Sequence, residues 1–567
     1  MTLKHSAFFT ALIVTVNLLG ADIFVSPNGN GDKSGASWSN AVEPHGCYVN
    51  AAITAAINSG AAEINIYYAG GEYSITQQVI LSSIKIPIKI SGGYAAAADG
   101  SLERGQAITK LNRNTSYNTR FINASSTSSI EIHDISLSDG RLVSANAAGA
   151  AAYFTDCPNV VVSNCTISSC TTLPSGSNQN IFGGGIYALN SNITFSNCQF
   201  EGNRCGQGGT NVKTRGGALF VQGCTTKIEN CNFIDNKMQS AYNNGAWGGA
   251  IFTTGGTITI MNSRFIRNKC ANERTFAGGG ALALRGMSRA VLINNYFENC
   301  YANLGETPGY DIYSAGYLYI DDLNTKDQLM TSIVERCVFN TTDNISIISS
   351  KAPKSKSTIL LNGGRLFVTN SLFCNFQKDT QRTATNVIHV CRKTVYNDAQ
   401  DLNSKGKTPV SISEATLSNV TIADGNGVGA GAVDTGSQLF VQNCIIRGNT
   451  TASLSNPTAV EYSCLQEEHQ GEGNFVEDPL WTGYPYYHLK SRNANSYIND
   501  GYFGGSFNNE KQKGFTQSPC IDAGAPNSPN HHREPHSRGT RINLGAYGGT
   551  PWASKSFYQL GSILYLK

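Results

Sequence analysis

The sequence predicts an all-β fold, a right-handed parallel β-helix solenoid with an N-terminal capping helix and an irregular C-terminal cap. Three observations carry that reading. The pattern Asn-Cys-x-Phe, or a near relative, occurs ten times, beginning at Asp134, Asn164, Asn197, Asn230, Asn262, Asn294, Arg336, Asn370, Asn419 and Asn443; the copies from Asn164 to Asn294 are spaced by 33, 33, 32 and 32 residues. A glycine marker keeps step with it: Gly183-Gly184-Gly185-Ile186, Gly216-Gly217-Ala218-Leu219, Gly248-Gly249-Ala250-Ile251 and Gly279-Gly280-Ala281-Leu282. No long stretch shows helical periodicity, whereas 59 glycines and short apolar runs separated by Ser, Thr and Asn suit many short strands joined by tight turns.

From the N-terminus, residues 1–21 read as a signal peptide. Lys4 and His5 precede a mainly apolar run from Ala7 to Leu19, and the small Gly20 and Ala21 follow. The run is shorter than the roughly 20 apolar residues a spanning helix needs. Tyr48 to Ser59, rich in Ala and Ile and ended by Gly60, is the one convincing helix, and strands are expected at Glu63–Tyr68 and Ile84–Ile90. The solenoid with its N-terminal cap then spans 22–478. From Pro479 the repeat stops and aromatic, Pro and His content rises, so 479–567 is assigned to a capping, anchor-associated region.

One unit, Gly248 to Lys269, shows how the repeat should close a coil. Gly248 to Thr254 is a short strand, Gly255-Gly256 turns the chain, Thr257 to Met261 alternates as a second strand, Asn262 turns it again, and Ser263 to Asn268 forms a third. Stacked coils would align Phe200, Phe233, Phe265 and Phe297 in an internal ladder, extended by Ile167, Phe339, Phe373, Ile422 and Ile446. The Asn residues would occupy a left-handed corner and bond their amides from coil to coil, and the Gly pairs would permit the other sharp corner. Cys165, Cys198, Cys231, Cys337 and Cys444 stand two positions before the Phe or Ile, hence on the same inward face. Such residues sit about 4.8 Å apart with parallel Cβ vectors, against the roughly 3.8 Å Cβ separation of a relaxed disulfide, so they are expected as buried thiols.

The charge balance narrows the function classes. A net charge of +3 lacks the basic excess of a phosphate-tracking surface, so no nucleic-acid partner is expected. Cys-x-x-Cys pairs, Cys/His zinc spacing and Gly-x-Gly-x-Asp turns are absent from the sequence, and no cofactor or metal is expected. The tract His531-His532-Arg533-Glu534-Pro535-His536 reads as a solvent-exposed loop. Glycan cleavage needs either paired carboxylates or a base with something to neutralise a uronate. The Asn-Thr-Asp and Gly-His-Gly signatures of polygalacturonases and the Trp-Ile-Asp-His segment of pectate lyases are missing, and Asp321-Asp322, the adjacent aspartate pair, reads as an exposed loop. Residues 351–410 hold ten Lys or Arg against three Asp, including Lys351, Lys354, Lys356, Arg365, Lys378, Arg382, Arg392 and Lys393. Such a zone could bind acidic glycans, with His389 or Tyr396 beside it as a lyase base. Lys378, Arg382, His389, Arg392, Lys393 and Tyr396 are therefore the candidate ligand-binding residues; catalytic residues are not assigned. Loop excursions at Thr171–Asn180, Asn303–Tyr313 and Asp398–Lys407 are further places for recognition.

The pairing of Gly-Gly-Ala-Ile/Leu with Phe-x-x-Asn (Phe200–Asn203, Phe233–Asn236, Phe265–Asn268) resembles the repeat of the chlamydial polymorphic outer-membrane proteins, an adhesin family, over roughly residues 160–300. Ile23-Phe-Val-Ser-Pro-Asn-Gly29 with Gly35-Ala-Ser-Trp-Ser-Asn-Ala41 looks like the opening of many exported bacterial β-helix proteins. Glu477-Asp-Pro-Leu480, Tyr487-His-Leu489, Ser518-Pro-Cys-Ile-Asp-Ala-Gly524 and Ile542-Asn-Leu-Gly-Ala-Tyr547 are similar to the "choice-of-anchor Q" β-helix terminus. The chlamydial family carries a C-terminal membrane barrel, and eight strands of about ten residues do not fit in the roughly 20 residues after Tyr547, so no transmembrane barrel is expected here. The resemblance implies a secreted or cell-surface protein, monomeric and adhesin-like, that binds an extracellular polysaccharide or cell-surface ligand without catalysis. The alternative is a polysaccharide lyase or glycoside hydrolase acting on an acidic polysaccharide. Steps of 42, 34 and 49 residues leave the register between Asn294 and Asn419 unassigned.

Overall fold

The computed structural model describes residues 20–97, 101–206, 212–240, 246–272, 277–304, 314–322, 329–342, 356–374, 385–391, 412–425, 427–433, 436–482, 487–491, 517–534 and 541–554. The chain forms a parallel β-helix whose coils lie in register one repeat apart. Ile186 pairs with Leu219, Leu219 with Ile251 and Ile251 with Leu282; one corner further on, Phe200 pairs with Phe233, Phe233 with Phe265 and Phe265 with Phe297. The loosely spaced middle keeps the same stacking, with Phe297 on Phe339, Phe339 on Phe373 and Phe373 on Ile422. In that region the pairing of Ser314–Asp321 with Lys356–Asn362 shifts register once, between Ala315 and Leu318.

Three ladders run through the stack. From Phe200 to Phe373 the rings lie fully buried and near parallel, with centroids 4.6 to 4.9 Å apart. All ten pattern-opening residues adopt φ between 46° and 58°, the left-handed corner, where Asn and Asp are tolerated best. Their side chains bond along the surface: Asn164 Nδ2 donates to Asp134 Oδ1 at 3.1 Å, Asn197 to Asn164 at 3.2 Å and Asn294 to Asn262 at 2.7 Å. The third ladder explains the Phe-x-x-Asn spacing. Asn203 Nδ2 donates to Asn236 Oδ1 (3.0 Å) and Asn236 Nδ2 to Asn268 Oδ1 (2.9 Å), while each amide also donates to a carbonyl of the preceding coil. All three are fully buried, so the amides satisfy backbone that no strand partner can reach.

The cysteines after the corner are buried thiols with a polar task as well. Cys165, Cys198, Cys231, Cys337 and Cys444 donate to the carbonyl two residues back. The Cys198 amide donates to Cys231 Sγ, and the Cys231 and Cys337 amides donate to Ser263 and Ser371 hydroxyls one coil on. Cys, Ser and Asn therefore share one ladder because each puts a small acceptor under the corner.

The glycine corners are dictated by contact. A Cβ on Gly217 or Gly249 would lie 1.9 or 2.0 Å from a carbonyl oxygen of the next coil. Gly255-Gly256, expected to separate two strands, instead lie within one strand, Ile251–Met261, which carries both through positive φ; the pairing lapses at Gly255 and resumes beyond it. Each coil of the repeat zone also has more strands than expected. After Gln199–Glu201 the chain continues through Arg204–Cys205 and Lys213–Arg215 before the next coil, and these belong to two accessory sheets of six and four strands among the described residues. The expected loop Thr171–Asn180 contributes to both, as Thr171–Pro174 and the start of Asn180–Phe182. Of Asn303–Tyr313 only the end of Tyr301–Leu304 lies within the described residues, and Asp398–Lys407 lies outside them.

The accessory sheets follow from sidedness. Ile186, Leu219 and Ile251 face the main core, so the adjacent Tyr187, Phe220 and Phe252 must face outward, and a strand apolar on both sides needs a second cover. The accessory sheets supply it: Ile181, Cys205, Met238 and Cys270 close a second apolar column over the stacked Tyr153, Tyr187, Phe220 and Phe252 rings.

Both ends of the solenoid are shielded. The helix spans Gly46–Asn58, burying Val49, Ile53 and Ala56, and Asn50 of that helix accepts from the Ile80 amide on the first coil's edge at 2.9 Å. Strands follow at Ile64–Ala69 and Ile88–Tyr94. At the other end, Glu467 Oε1 accepts the Ser453 and Leu454 amides, Gln466 Oε1 that of Asn449, and Asn474 Oδ1 that of Ser463. The described parts of 479–567 then lie alongside the last coils. Tyr487, Ala546 and Tyr547 cover Val338, Leu372 and Ala423, while Leu489, Cys520, Ile521 and Leu544 cover Ile445 and Cys464. Residues 1–19, most of the expected signal peptide, lie outside the described residues, and no described helix is long and apolar enough to cross a membrane.

Replacing Asn236 by Ala removes an acceptor from the Asn203 amide and a donor from the Phe200 carbonyl. It should cost about 2–4 kcal/mol of local stability, whereas truncating the exposed corner residue Asn262 should cost about 1 kcal/mol. Hydrogen exchange of the flanking coils measures both; equal protection in the two variants would contradict the ranking.

Candidate functional site

The corner ladder changes role towards the C-terminus. Asn164, Asn197 and Asn294 bond to the coil before, but Asn370 Nδ2 donates to the Ala546 and Gly548 carbonyls (3.1 and 2.8 Å), and Asn419 Nδ2 to that of Asn543 (3.3 Å). Asn443 Oδ1 accepts the Ala525 amide at 2.6 Å. The same corner that stitches coils together thus docks the C-terminal segment. Where the docked segment meets the corner, a cleft of about 280 Å³ remains, lined by Glu335-Arg336, Thr369-Asn370 and Ser418-Asn419 on one wall and by Asn530, Arg533 and Gly549–Trp552 on the other.

Its chemistry suits a hydroxylated, anionic ligand. Arg336 and Arg533 supply two guanidinium groups against the single carboxylate of Glu335, which contacts Arg336 directly. Thr369, Ser418 and Asn419 offer hydroxyls and an amide, and the Trp552 indole, partly buried against the apolar cover, offers a flat apolar face. Arg336 is the one pattern-opening residue that is neither Asn nor Asp, and it holds the corner at φ 50°. That exception to the repeat was visible in the sequence; the opposing wall, more than 180 residues downstream, was not. Two larger depressions share Gly105–Ala107, about 600 and 530 Å³; the first is lined by a single arginine, Arg104, which pairs with Asp134 at 2.9 Å, and the lining of the second holds no charged side chain.

The wall is held by a buried acid. His531–Arg533 form a surface 3₁₀ turn, but Glu534, expected in an exposed loop, is 6% exposed and its Oε1 accepts the Asn543 amide (2.8 Å) and the Gly549 amide (2.6 Å). Its Oε2 is buried without a hydrogen-bond partner among the described residues. Burial raises this carboxyl to about 7, so Oε2 carries the proton in acid and is forced to shed it near neutrality. His536 lies outside the described residues, and among those described no group of His, Cys, Asp and Glu converges on a metal position.

Of the sequence-derived candidates, Lys378, Arg382, Arg392, Lys393 and Tyr396 lie outside the described residues. His389 is described: it sits on the outer side of strand Thr385–Cys391, 5% exposed, with Nδ1 3.3 Å from Asn386 Nδ2. Arg365 of the same basic zone pairs with Glu414 at 3.7 Å. Asp321-Asp322 corrects a second expectation. Asp321 closes strand Ser314–Asp321 and is buried, bonding Arg285 Nε at 2.9 Å and Asn362 Nδ2 at 3.1 Å, while Arg285 lies 4.4 Å over the Trp247 ring. Asp322 Oδ2 accepts the Met330 amide at 3.0 Å. Both carboxylates are committed to holding the second apolar column and the bend after it; the partner that buries Asp321 is one coil away and invisible to local reading.

Comparison with known proteins gives no family model that matches the chain, and no curated protein matches it.

Because the folded-state carboxyl of Glu534 lies above its unfolded value, its contribution is full in acid and is lost as pH rises from about 4.5 through about 7. The loss should approach about 3 kcal/mol of docking stability. Protection factors of the Asn543 and Gly549 amides should therefore fall between pH 5 and 8 (on the order of these limits), and Glu534→Gln should flatten the profile; an unchanged profile in that variant would rule out Glu534 as the titrating group.

Proposed function

We propose that this chain is an exported, surface-associated, adhesin-like solenoid that binds an acidic glycan without catalysis. The observation that carries this reading is the cleft at the Arg336 corner, where two guanidinium groups, a single carboxylate, hydroxyls and the Trp552 indole converge on one concave surface. A sugar ring laid against the indole buries its C–H face, its carboxylate meets the guanidinium groups, and its hydroxyls reach Thr369, Ser418 and Asn419. At about 280 Å³ the cleft takes one sugar residue rather than a chain, so it holds a terminus or a branch. The ten Lys and Arg of residues 351–410 add a general attraction for polyanions, which screening by salt weakens.

Catalysis by the groups proposed from sequence would use His389 or Tyr396 as base beside the basic patch that includes Lys393, and the same experiment addresses it. The purified chain is titrated with a panel of uronic-acid polysaccharides while binding is followed by calorimetry and unsaturated products by ultraviolet absorbance. Binding without product is expected. Arg336→Asn, which restores the residue favoured at that corner, and Arg533→Gln should each weaken it about tenfold while leaving the fold intact. Product that accumulates in the wild type and disappears in Lys393→Ala or Tyr396→Phe would establish a lyase instead, and indifference of binding to both arginine substitutions would move the site elsewhere.

A further inference from the structure

The described cysteines fall into two geometries. Cys165, Cys198 and Cys231 of the corner ladder precede strands that pair in register from coil to coil, so their Cβ vectors run parallel at the strand spacing instead of converging as a relaxed disulfide needs. Cys464 and Cys520 do not share that arrangement. Cys464 pairs with Ile445 on strand Cys464–Leu465, whose next residue, Leu465, enters the main core, so Cys464 points out of the coil. Cys520 arrives from the opposite side, on the segment that covers that face, and the two belong to one apolar cluster with Ile445, Leu489 and Leu544.

Backbone on both sides fixes the meeting. Cys464 Sγ lies 3.2 Å from the Glu477 carbonyl, Ser518 Oγ bonds the Pro479 carbonyl at 2.5 Å and the Cys520 amide at 3.1 Å, and Leu544 donates to the Cys520 carbonyl at 2.9 Å. Both thiols are fully buried within that one cluster. We infer that Cys464 and Cys520 form a disulfide that staples the C-terminal segment to the last coil when the chain folds in an oxidising compartment.

The chemistry requires an external oxidant, here a low-molecular-weight disulfide RSSR. Cys464 thiolate attacks one sulfur of RSSR, breaking that S–S bond, forming a mixed disulfide and releasing RS⁻, which takes up the Cys464 proton. Cys520 then attacks the Cys464 sulfur; the mixed disulfide breaks, the intramolecular S–S bond forms, and a second RSH leaves with the Cys520 proton. Two cysteine thiols are oxidised and one RSSR is reduced to two RSH. Since both sulfurs are buried once the segment docks, the exchange belongs to the folding chain before docking is complete.

This inference is independent of the ligand-binding reading. The full chain is refolded in mixed reduced and oxidised glutathione, quenched in acid, alkylated while denatured and digested without reduction. Peptides bearing Cys464 and Cys520 should appear joined, with fourteen of the sixteen cysteines alkylated (16 − 2). Sixteen alkylated cysteines, or cross-links that omit this pair, would overturn the inference. In the oxidised protein the Leu544 amide should exchange about tenfold more slowly than in the same protein held in reductant, and Cys520→Ala should abolish that difference; a difference that persists in the variant would also count against the staple.

Discussion

From Asp134 to Asn443 the coils of this protein depend on one residue holding a left-handed backbone angle at the same corner. Ten such residues, from Asp134 to Asn443, turn the chain between the two strands that build the main core. The turn is stable because a small acceptor from the neighbouring coil, a thiol, a hydroxyl or an amide, meets the amide that follows it. Fixing the corner fixes the register. Because side-chain direction alternates along a strand, a slip of one position would send the Phe200, Phe233 and Phe265 rings to the opposite face and bring their polar neighbours inside. The aromatic column, the buried Asn203–Asn236–Asn268 ladder and the glycine contacts are consistent with a single alignment only.

The same alternation determines what lies outside the coil. Strands with Tyr187, Phe220 and Phe252 on their outer side are covered by the accessory sheets, and strands with Val338, Leu372, Ile445 and Cys464 on theirs are covered by the C-terminal segment. Between these covers, at the corner around Arg336, the coil is neither buried nor left as a plain polar ladder. The cleft arises there because the docked segment follows the corner asparagines and leaves a gap beside the coil whose corner residue is an arginine. Its position is a product of the covering, and its chemistry comes from residues the core does not need.

How much of this was legible in the sequence follows from the range over which each signal acts. The period, the Phe and Asn ladders, the glycine corners and the helix at Gly46–Asn58 announce themselves locally or by simple repetition, and the structure places them as expected. The accessory strands are only two to four residues long, too short for alternation to register, so Thr171–Asn180 reads as a loop although its ends pair. Asp321 reads as exposed because Arg285, which makes its burial tolerable, lies a coil away. The outward residues of the third strand do change from the polar Thr166, Gln199 and Asn232 to the apolar Val338 and Leu372 along the ladder, a signal for the C-terminal cover that repeat matching passes over. The basic zone contributes little to the comparison, since of its candidate residues His389 alone is described, and it is buried within a strand.

The side chains that finish the last coil have a further consequence. A stack of in-register parallel strands is also the architecture of a fibre, and a solenoid with a bare terminal edge would template a second molecule end on. Glu467, Gln466 and Asn474 occupy the amides that such a newcomer would have to engage, and Glu467 adds a charge that any polymerising neighbour would have to desolvate. The last coil therefore meets its surroundings with the Asn449, Ser453, Leu454 and Ser463 amides already engaged from within the molecule.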